Sequence, residues 1–208
     1  VKLYGIIGIC KDGELITNKC KELSIPNEFA VSKNEKTVVK TRILSSGQQL
    51  VRLDKEKFFD VQNAHALFEK LEANIVSDDL LILSDYGKGS IGEVKKIIEW
   101  CHKRNIKVFI DPKGRNFLKY SNAYLLTPNR REFEAVVGVS HNEKDFNNKA
   151  HQLRKKLNLN YLLVKKDKQG MTLYSEKKHW RFNANKVDVV DVAGAGDTVI
   201  ANLAFLIY

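Results

Sequence analysis

Short apolar runs alternate with longer amphipathic segments along the middle of the chain. The apolar runs lie at 80–84, 107–111, 124–126 and 161–164. Runs of this kind are typical of strands that are buried on both faces of a sheet. Hydrophobic residues recur at helical spacing in the segments between them, at 90–104, 130–137 and 142–157. Because strand, helix and strand in this order form a parallel sheet covered by helices, we predict an α/β fold with a doubly wound, mainly parallel sheet.

Two β-rich runs at 37–44 and 48–54 interrupt this alternation. They are separated only by Ser45, Ser46 and Gly47, a connection of hairpin length. Because no helix lies between them, we predict a small antiparallel flap, inserted at about 28–56. Farther along the chain, the pattern of residues 170–182 predicts two short strands, and a helix is predicted to begin at Gly194.

The chain shows no internal repeats and no Pro-rich linker, with only three prolines in 208 residues. We therefore predict a single domain over 1–208. Val1 falls inside a predicted strand and Tyr208 inside a predicted helix. We expect the chain to be a domain truncated at both ends.

The amino-acid composition excludes several classes of protein. Hydrophobic residues make up 43% and charged residues 29%, which is typical of a globular protein and excludes disorder. The three cysteines (Cys10, Cys20 and Cys101) show no metal-ligand spacing and indicate a reducing compartment, so we expect a cytoplasmic protein. Cys101 lies at helical spacing and is predicted in the core. No apolar run approaches the roughly 20 residues of a membrane span, and no signal peptide is recognisable.

The charge balance is basic, with 35 Lys and Arg against 25 Asp and Glu, a formal net charge of +10. The lysines are scattered along predicted helices among acidic residues, and aromatic residues do not alternate with them. This pattern favours a solvated basic surface over a nucleic-acid site. A positive field also suits an enzyme with anionic substrates.

The strongest chemical motif is Asp-Val-Ala-Gly-Ala-Gly-Asp-Thr at 191–198. Gly194 and Gly196 permit close backbone approach, and the helix that starts there directs free N–H groups at an anion. Asp197 lies in the first helical turn. An ordinary loop with Asp197 as the helix cap is the alternative interpretation. Two glycines, a carboxylate and the upstream Asp191 favour phosphoryl transfer, which needs donors for phosphate charge and a base for the acceptor hydroxyl.

This motif is similar to the C-terminal signature of the ribokinase-like sugar kinases, the PfkB family. The resemblance implies that Asp197 is the catalytic base and that the backbone of Gly194, Ala195 and Gly196 forms the anion hole. Residues 126–132 resemble the Asn-x-x-Glu element of the family, and 164–170 resemble its ATP-lining segment. These matches imply ATP as a substrate and Mg²⁺ as a cofactor, with Glu132 near the metal. The implied nucleotide-binding residues are Asn129, Arg130, Arg131, Glu132, Lys165 and Gly170.

Four further strings, at 42–54, 83–89, 110–114 and 132–138, resemble the heptose 7-phosphate kinase domain. This resemblance implies ATP-dependent phosphorylation of D-glycero-β-D-manno-heptose 7-phosphate at C1, for ADP-heptose and lipopolysaccharide core synthesis. It also implies a homodimer, and in many bacteria a fusion to a nucleotidyltransferase domain. The implied substrate-binding residues are Arg42, Gln49, Arg52, Asp85, Lys88, Asp111 and Lys113.

Several of these residues have plainer interpretations. Lys88 and Lys113 follow strand ends, where solvated loop lysines are common. The arginines at 42 and 52 lie on the flap strands and could instead make cross-strand pairs with Asp54 or Glu56. Asp85 and Asp111 could form turns at strand ends. The five histidines show no pairing and are predicted on the surface.

The chain also departs from the family pattern. Ala193 replaces a threonine before Gly-Ala-Gly, and Cys10 replaces an aspartate after the early glycine. The family's Gly-Gly-x-x-x-Asn segment and C-terminal adenine-pocket helices are not found in these 208 residues. A non-catalytic remnant or binding module therefore remains an alternative, which Asn129, Glu132 and Asp197 oppose. A kinase of another sugar phosphate is a separate alternative.

Overall fold

The structure, a computed structural model, describes residues 1–45, 48–55, 57–185 and 194–208. The chain forms two compact units. The first comprises Val1–Ile75 with Gly87–Gly92, and the second comprises Val76–Tyr86 with Glu93–Tyr208.

The first unit combines two small sheets with two helices. Its elements are β1 (Leu3–Gly8), α1 (Lys11–Glu22), β2 (Asn27–Ser32), β3 (Val39–Ser45), β4 (Gln48–Lys55) and α2 (Val61–Asn74). Strands β1 and β2 pair in parallel. Ile6, Ala30, Phe59 and Leu67 form a hydrophobic cluster in this unit.

Among the strands that the structure describes, β3 and β4 pair with each other alone, in antiparallel register, as predicted for the flap. Because directly opposite residues share a face, the register separates the ribbon into two chemically different faces. Ile43 lies opposite Val51 on an apolar face, and Arg42 lies opposite Arg52 on a charged face. The side chains on both faces are exposed or half-buried.

The second unit contains the main sheet. Its elements are β5 (Leu80–Ser84), α3 (Val94–His102), β6 (Lys107–Asp111), a 3-10 helix (Phe117–Tyr120), β7 (Leu125–Leu126), α4 (Arg130–Val137), α5 (Glu143–Lys156), β8 (Tyr161–Lys165), a short 3-10 turn (Asp167–Gln169), β9 (Met171–Tyr174), β10 (His179–Phe182) and α6 (Ala195–Ile207). The strand order is β10-β9-β8-β7-β6-β5. Strands β5 to β8 are parallel, whereas β9 and β10 are antiparallel.

The core explains why the strands are continuous apolar runs. Phe109, Leu125 and Leu163 from three neighbouring strands pack with Ile200 and Ala204 of α6. Strands covered by helices bury both faces, so alternation with polar residues is lost. The predicted α/β fold with a mainly parallel sheet is confirmed, and Cys101 is fully buried as predicted.

Several sequence predictions need correction. Val1 precedes β1 and Tyr208 follows α6, so neither lies inside an element as predicted. The helix predicted from residue 90 begins at Val94, because Gly89 and Gly92 adopt positive φ angles in the preceding turn. The prediction that the histidines are unpaired is wrong for two of them. His151 and His179 contact the ring of Tyr174, with ring centroids 5.3 and 5.5 Å from it.

Across the residues that the structure describes, no helix is both long and apolar enough to cross a membrane.

Candidate active site

Polar residues collect at the carboxyl ends of the parallel strands in the second unit. Strand β5 ends next to Asp85, β6 ends at Asp111 and β8 ends at Lys165. Helix α6 contacts β5 and β6. Carboxyl ends of parallel strands lie along the same edge of a sheet, where α/β proteins bind ligands.

The start of α6 is organised by glycine. Gly194 is the N-cap residue, with its backbone in the left-handed region at φ 77°. As a glycine, it provides no side chain to cap the helix. The backbone N–H and the hydroxyl of Thr198 both donate to the Gly194 carbonyl, at 2.8 and 2.9 Å. The N–H groups of Ala195, Gly196 and Asp197 come before this first intrahelical hydrogen bond. They therefore have no acceptor within the helix and point past its N-terminal end. These N–H groups and the positive helix end form a candidate anion site.

Asp197 is exposed in this first turn of α6. It is the third helical residue and not the N-cap, so the interpretation of Asp197 as the capping residue is wrong. Its exposed carboxylate is accessible to a bound hydroxyl. Asp191 and Ala193, which completed the sequence motif, lie outside the described residues.

Lys165 brings a cation to the same helix end. Its Nζ would lie 3.0 Å from a β-carbon at Gly196, so the glycine lets the backbone approach the ammonium group closely. The same Nζ lies 2.8 Å from Oδ1 of Asp111, which also accepts a hydrogen bond from the Thr127 hydroxyl at 3.0 Å. An ammonium group at the positive end of a helix is unfavourable unless an anion is near. Asp111 provides that anion here, and a bound phosphate would provide a second.

The Asn-x-x-Glu element forms the N-terminal cap of α4. Asn129 Oδ1 accepts from the N–H of Glu132 at 2.9 Å, and Glu132 Oε2 accepts from the N–H of Asn129 at 3.0 Å. This reciprocal capping box satisfies two free donors of the helix. Glu132 Oε1 makes a longer contact, 3.4 Å, with Nζ of Lys113. The sequence predicted these residues for their chemistry, and the structure adds a local structural role.

The described residues contain no cluster of three or more His, Cys, Asp or Glu side chains that could cage a metal ion. Mg²⁺ keeps several waters and commonly binds through one or two carboxylates together with substrate phosphates. Glu132 fits such a site through Oε1, which a metal-bound water could reach. The arrangement suits a cation held chiefly by phosphates and water.

The other predicted nucleotide-binding residues lie around α4 and the β8–β9 turn. Arg130 pairs with Glu134 at 3.2 Å and donates to Gln169 at 3.4 Å, whereas Arg131 is exposed. Gly170 has φ 83°, and a side chain there would collide with the carbonyl of Phe182. This close approach by itself accounts for the glycine.

Asp85 is almost completely buried, unlike a solvated turn former. Its Oδ2 accepts hydrogen bonds from the hydroxyl of Tyr120 and from Nζ of Lys119, both at 2.6 Å. Burial raises the pKa of the Tyr120 hydroxyl, and the adjacent carboxylate raises it further. Sequence patterns did not single out Lys119 or Tyr120, which belong to no recognised motif. Thr127 lies within the 126–132 string, but the sequence assigned it no role.

The remaining predicted substrate residues belong to the first unit. Arg52 pairs with Asp54 at 2.9 Å, but on its own strand, whereas the plainer interpretation expected a pair across the strands. Glu56 lies outside the described residues. Nζ of Lys88 lies 5.2 Å from the ring centroid of Phe58, and Gln49 is exposed opposite Leu44.

Comparison with known proteins identifies the family. The family description "pfkB family carbohydrate kinase" matches residues 1–205. The chain belongs to this family. The bifunctional protein HldE of Histophilus somni (strain 129Pt) is 43% identical over 205 residues, covering 98% of this chain and 43% of that protein. An uncharacterized sugar kinase of Buchnera aphidicola subsp. Schizaphis graminum is 42% identical over 204 residues, covering 98% of this chain and 65% of that protein. The pfkB-family chain thus spans less than half the length of the HldE protein it matches.

Solved structures support the same fold. Phosphofructokinase-2 from Escherichia coli in complex with fructose-6-phosphate superposes with a TM-score of 0.83 at 17% identity, covering 98% of this chain and 68% of that one. Ribokinase from Giardia lamblia gives 0.75 at 18% identity, covering 95% and 64%. The predicted ribokinase-like architecture of this pfkB-family chain is therefore confirmed.

Proposed function

We propose that this pfkB-family chain transfers the γ-phosphoryl group of ATP to the C1 hydroxyl of D-glycero-β-D-manno-heptose 7-phosphate. The product is the 1,7-bisphosphate, which feeds ADP-heptose and lipopolysaccharide core synthesis. The observation that carries the reaction type is the start of α6, where an exposed carboxylate, free N–H groups and the Lys165 ammonium come together. The choice of sugar rests on the sequence strings that resemble heptose 7-phosphate kinases.

Each step of the transfer has a group to perform it. Asp197 accepts the proton of the sugar hydroxyl while the hydroxyl oxygen forms a bond to the γ-phosphorus. The bond from that phosphorus to the β–γ bridging oxygen breaks, and its electron pair leaves with ADP. The N–H groups at the start of α6 and Nζ of Lys165 stabilise the negative charge that develops on the phosphoryl oxygens.

Mg²⁺, when bound, neutralises charge on the nucleotide phosphates. Glu132 would help to hold the metal ion through a bound water, and Asn129 keeps that glutamate in place through the capping box. Arg130, Arg131, Lys165 and Gly170 are assigned to the nucleotide side. The sugar side is assigned to Arg42, Gln49, Arg52, Asp85, Lys88, Asp111 and Lys113.

The wider assignments are also proposals. An exposed apolar face on the β3–β4 ribbon supports a homodimer, because Ile43, Val51 and Leu53 would gain burial against a second copy. The name of the HldE relatives, bifunctional protein, supports a fused second activity such as a nucleotidyltransferase. We further propose a cytoplasmic location and no nucleic-acid partner. The assignment of 1–208 to one truncated kinase domain stays a prediction.

The decisive test is Asp197→Asn in the full-length protein. Asparagine keeps the shape but cannot accept the proton, and general-base catalysis contributes about 10²–10⁴-fold. We expect kcat with heptose 7-phosphate to fall at least about 100-fold, while ATP affinity measured by calorimetry stays near that of the wild type.

Asp145→Asn is the matched control, since Asp145 occupies the same third position in α5. It should lower the melting temperature without lowering kcat, because Asp145 accepts a hydrogen bond from the N–H of His141 and pairs with Lys149. A fully active Asp197→Asn variant would contradict the catalytic assignment. Wild-type activity with fructose 6-phosphate and none with heptose 7-phosphate would identify a different sugar.

A further inference from the structure

The 3-10 helix Phe117–Tyr120 contributes two side chains that hold one carboxylate oxygen. The Tyr120 hydroxyl donates to Oδ2 of Asp85 at 2.6 Å, and Nζ of Lys119 contacts the same oxygen at 2.6 Å. The ring of Tyr120 is fully buried, and the side chain of Asp85 is only 7% exposed. A polar group at that depth requires hydrogen-bond partners. Tyr120 and Lys119 supply two of them.

The same hydroxyl also holds a second chain segment. The backbone N–H of Lys113 donates to the Tyr120 oxygen at 3.0 Å. Lys113 lies two residues beyond the end of β6, and Asp85 lies one residue beyond the end of β5. These strands are neighbours, with Ser84 paired to Asp111, and the N–H of Asp85 donates to the Asp111 carbonyl at 3.0 Å. One oxygen atom therefore connects two adjacent strand ends at the carboxyl edge of the sheet.

The connection extends toward the proposed nucleotide side. Nζ of Lys113 contacts Oε1 of Glu132. The other carboxylate oxygen of Glu132, Oε2, accepts the hydrogen bond from the N–H of Asn129. Fixing the Lys113 backbone therefore limits where its ammonium group can reach. Both residues that the Tyr120 hydroxyl holds, Asp85 and Lys113, are ones the proposed function assigns to the sugar phosphate.

We infer that Tyr120 is a positioning residue for the sugar phosphate, acting through Asp85 and the Lys113 backbone, an inference that rests on the proposed function. Tyr120 does not touch the reacting atoms. Its hydroxyl sets the orientation of the Asp85 carboxylate and the path of the loop after β6, so that both are formed before the substrate binds. Preorganisation of this kind lowers the cost of ordering the site during binding.

Tyr120→Phe tests this inference in the full-length protein. The change keeps the buried ring and removes only the hydroxyl. We expect the KM for heptose 7-phosphate to rise about tenfold, the scale of one hydrogen bond to a charged group. The KM for ATP should stay near the wild-type value, and the Kd for heptose 7-phosphate from calorimetry should rise in parallel.

Tyr174→Phe is the matched control. Tyr174 is also fully buried, and its hydroxyl donates to Asn147 Oδ1 at the same distance, 2.6 Å, between β9 and α5. Both variants should lose similar thermal stability, but only Tyr120→Phe should change the sugar-phosphate KM. Equal changes in the two variants, or a Tyr120→Phe variant with unchanged KM, would overturn the inference.

A double-mutant cycle with Asp85→Asn separates positioning from general destabilisation. If Tyr120 acts through Asp85, adding Tyr120→Phe to Asp85→Asn should raise the sugar-phosphate KM by much less than it does alone. Fully multiplicative effects on KM would overturn the inference. If Tyr120→Phe does not fold, Lys119→Met removes the other donor to the same oxygen and should raise the same KM; an unchanged KM would again overturn it.

The outcomes also distinguish this inference from the proposed function. A wild-type protein that neither phosphorylates nor binds heptose 7-phosphate would overturn both. Wild-type activity together with an unaffected Tyr120→Phe variant would overturn the positioning role alone.

Discussion

Glu132 combines a structural task with a proposed chemical task in one side chain. One carboxylate oxygen completes the capping box of α4, and the other contacts Lys113. In the proposed function, this second oxygen would contact a metal-bound water. A substitution that removes the charge while preserving the cap can therefore separate the two tasks.

Glu132→Gln is that substitution, because glutamine at the third helical position also completes a capping box. We expect the melting temperature to change little. The Mg²⁺ concentration for half-maximal activity should rise about three- to tenfold, since loss of one nearby charge corresponds to on the order of 1 kcal/mol. Titration of kcat with Mg²⁺ measures this shift.

Glu132→Ala serves as the comparison, since it loses both the charge and the cap and should also melt at a lower temperature. If Glu132→Gln leaves the Mg²⁺ dependence unchanged, Glu132 has only its capping role.

At the scale of elements, the β3–β4 ribbon stands out because a two-stranded sheet is marginally stable by itself. Arg42 lies directly opposite Arg52 on its charged face, a cross-strand arrangement of like charges that is destabilising. Arg52 is partly compensated by Asp54. An anion bound at this face would relieve the repulsion, which agrees with the predicted role of both arginines in binding a phosphorylated sugar.

Arg52→Ala tests that role. Loss of the guanidinium group should raise the KM for heptose 7-phosphate about tenfold, as expected for a hydrogen bond between charged groups. The KM for ATP should remain unchanged in the same steady-state measurements.

Lys55→Ala is the control, since it removes a positive charge from the same strand but from the opposite face, where Lys55 pairs with Val39. Equal effects of Arg52→Ala on both substrates would show that Arg52 only supports the ribbon.

At the scale of the whole molecule, stability should depend on pH through groups that are harder to protonate in the folded state. Burial lowers the pKa of His151, and the neighbouring His179 and Arg154 lower it further. Its ring also packs against the neutral, buried Tyr174. The hydrogen bond from Lys166 lowers the pKa of Glu143, and the N–H of His141 lowers that of Asp145.

For each of these groups the unfolded chain takes up its proton at a higher pH than the folded chain does. The unfolded state therefore binds more protons as the solution is acidified, and stability falls with falling pH. His151 is the first of these groups to lower the stability, as the pH drops below about 6.5. The two carboxylates add their loss only below about pH 4.5.

We therefore expect the melting temperature to decrease between pH 7.5 and pH 5.5. In His151→Phe, which keeps a ring beside Tyr174 but cannot titrate, this decrease should be smaller. His65→Gln, at an exposed position on α2, is the control and should retain the full decrease. A His151→Phe variant with the wild-type slope would show that the pH dependence arises elsewhere.

Much of the fold follows from interactions between residues that are close in the sequence. The bounds of β5, β6 and α4 were predicted correctly, because apolar runs and helical spacing reflect burial of consecutive turns and strands. The Asn129–Glu132 capping box and the Gly194–Asp197 helix start are also local, since the partners lie within one turn. Chemistry carried by such short motifs is visible in the sequence alone.

Contacts between residues far apart in the chain were decided only by the tertiary structure. Tyr120 and Asp85 are 35 residues apart, and Lys165 and Asp111 are 54 apart. The cluster of His151, Tyr174 and His179 joins a helix to two antiparallel strands. The sequence determines which residues form each strand and helix, but a side chain acquires its partner only when sheet register and helix packing bring separate segments together. Hydrophobic burial drives that assembly and is non-directional, so no local pattern specifies which polar groups will meet at the edge of the sheet.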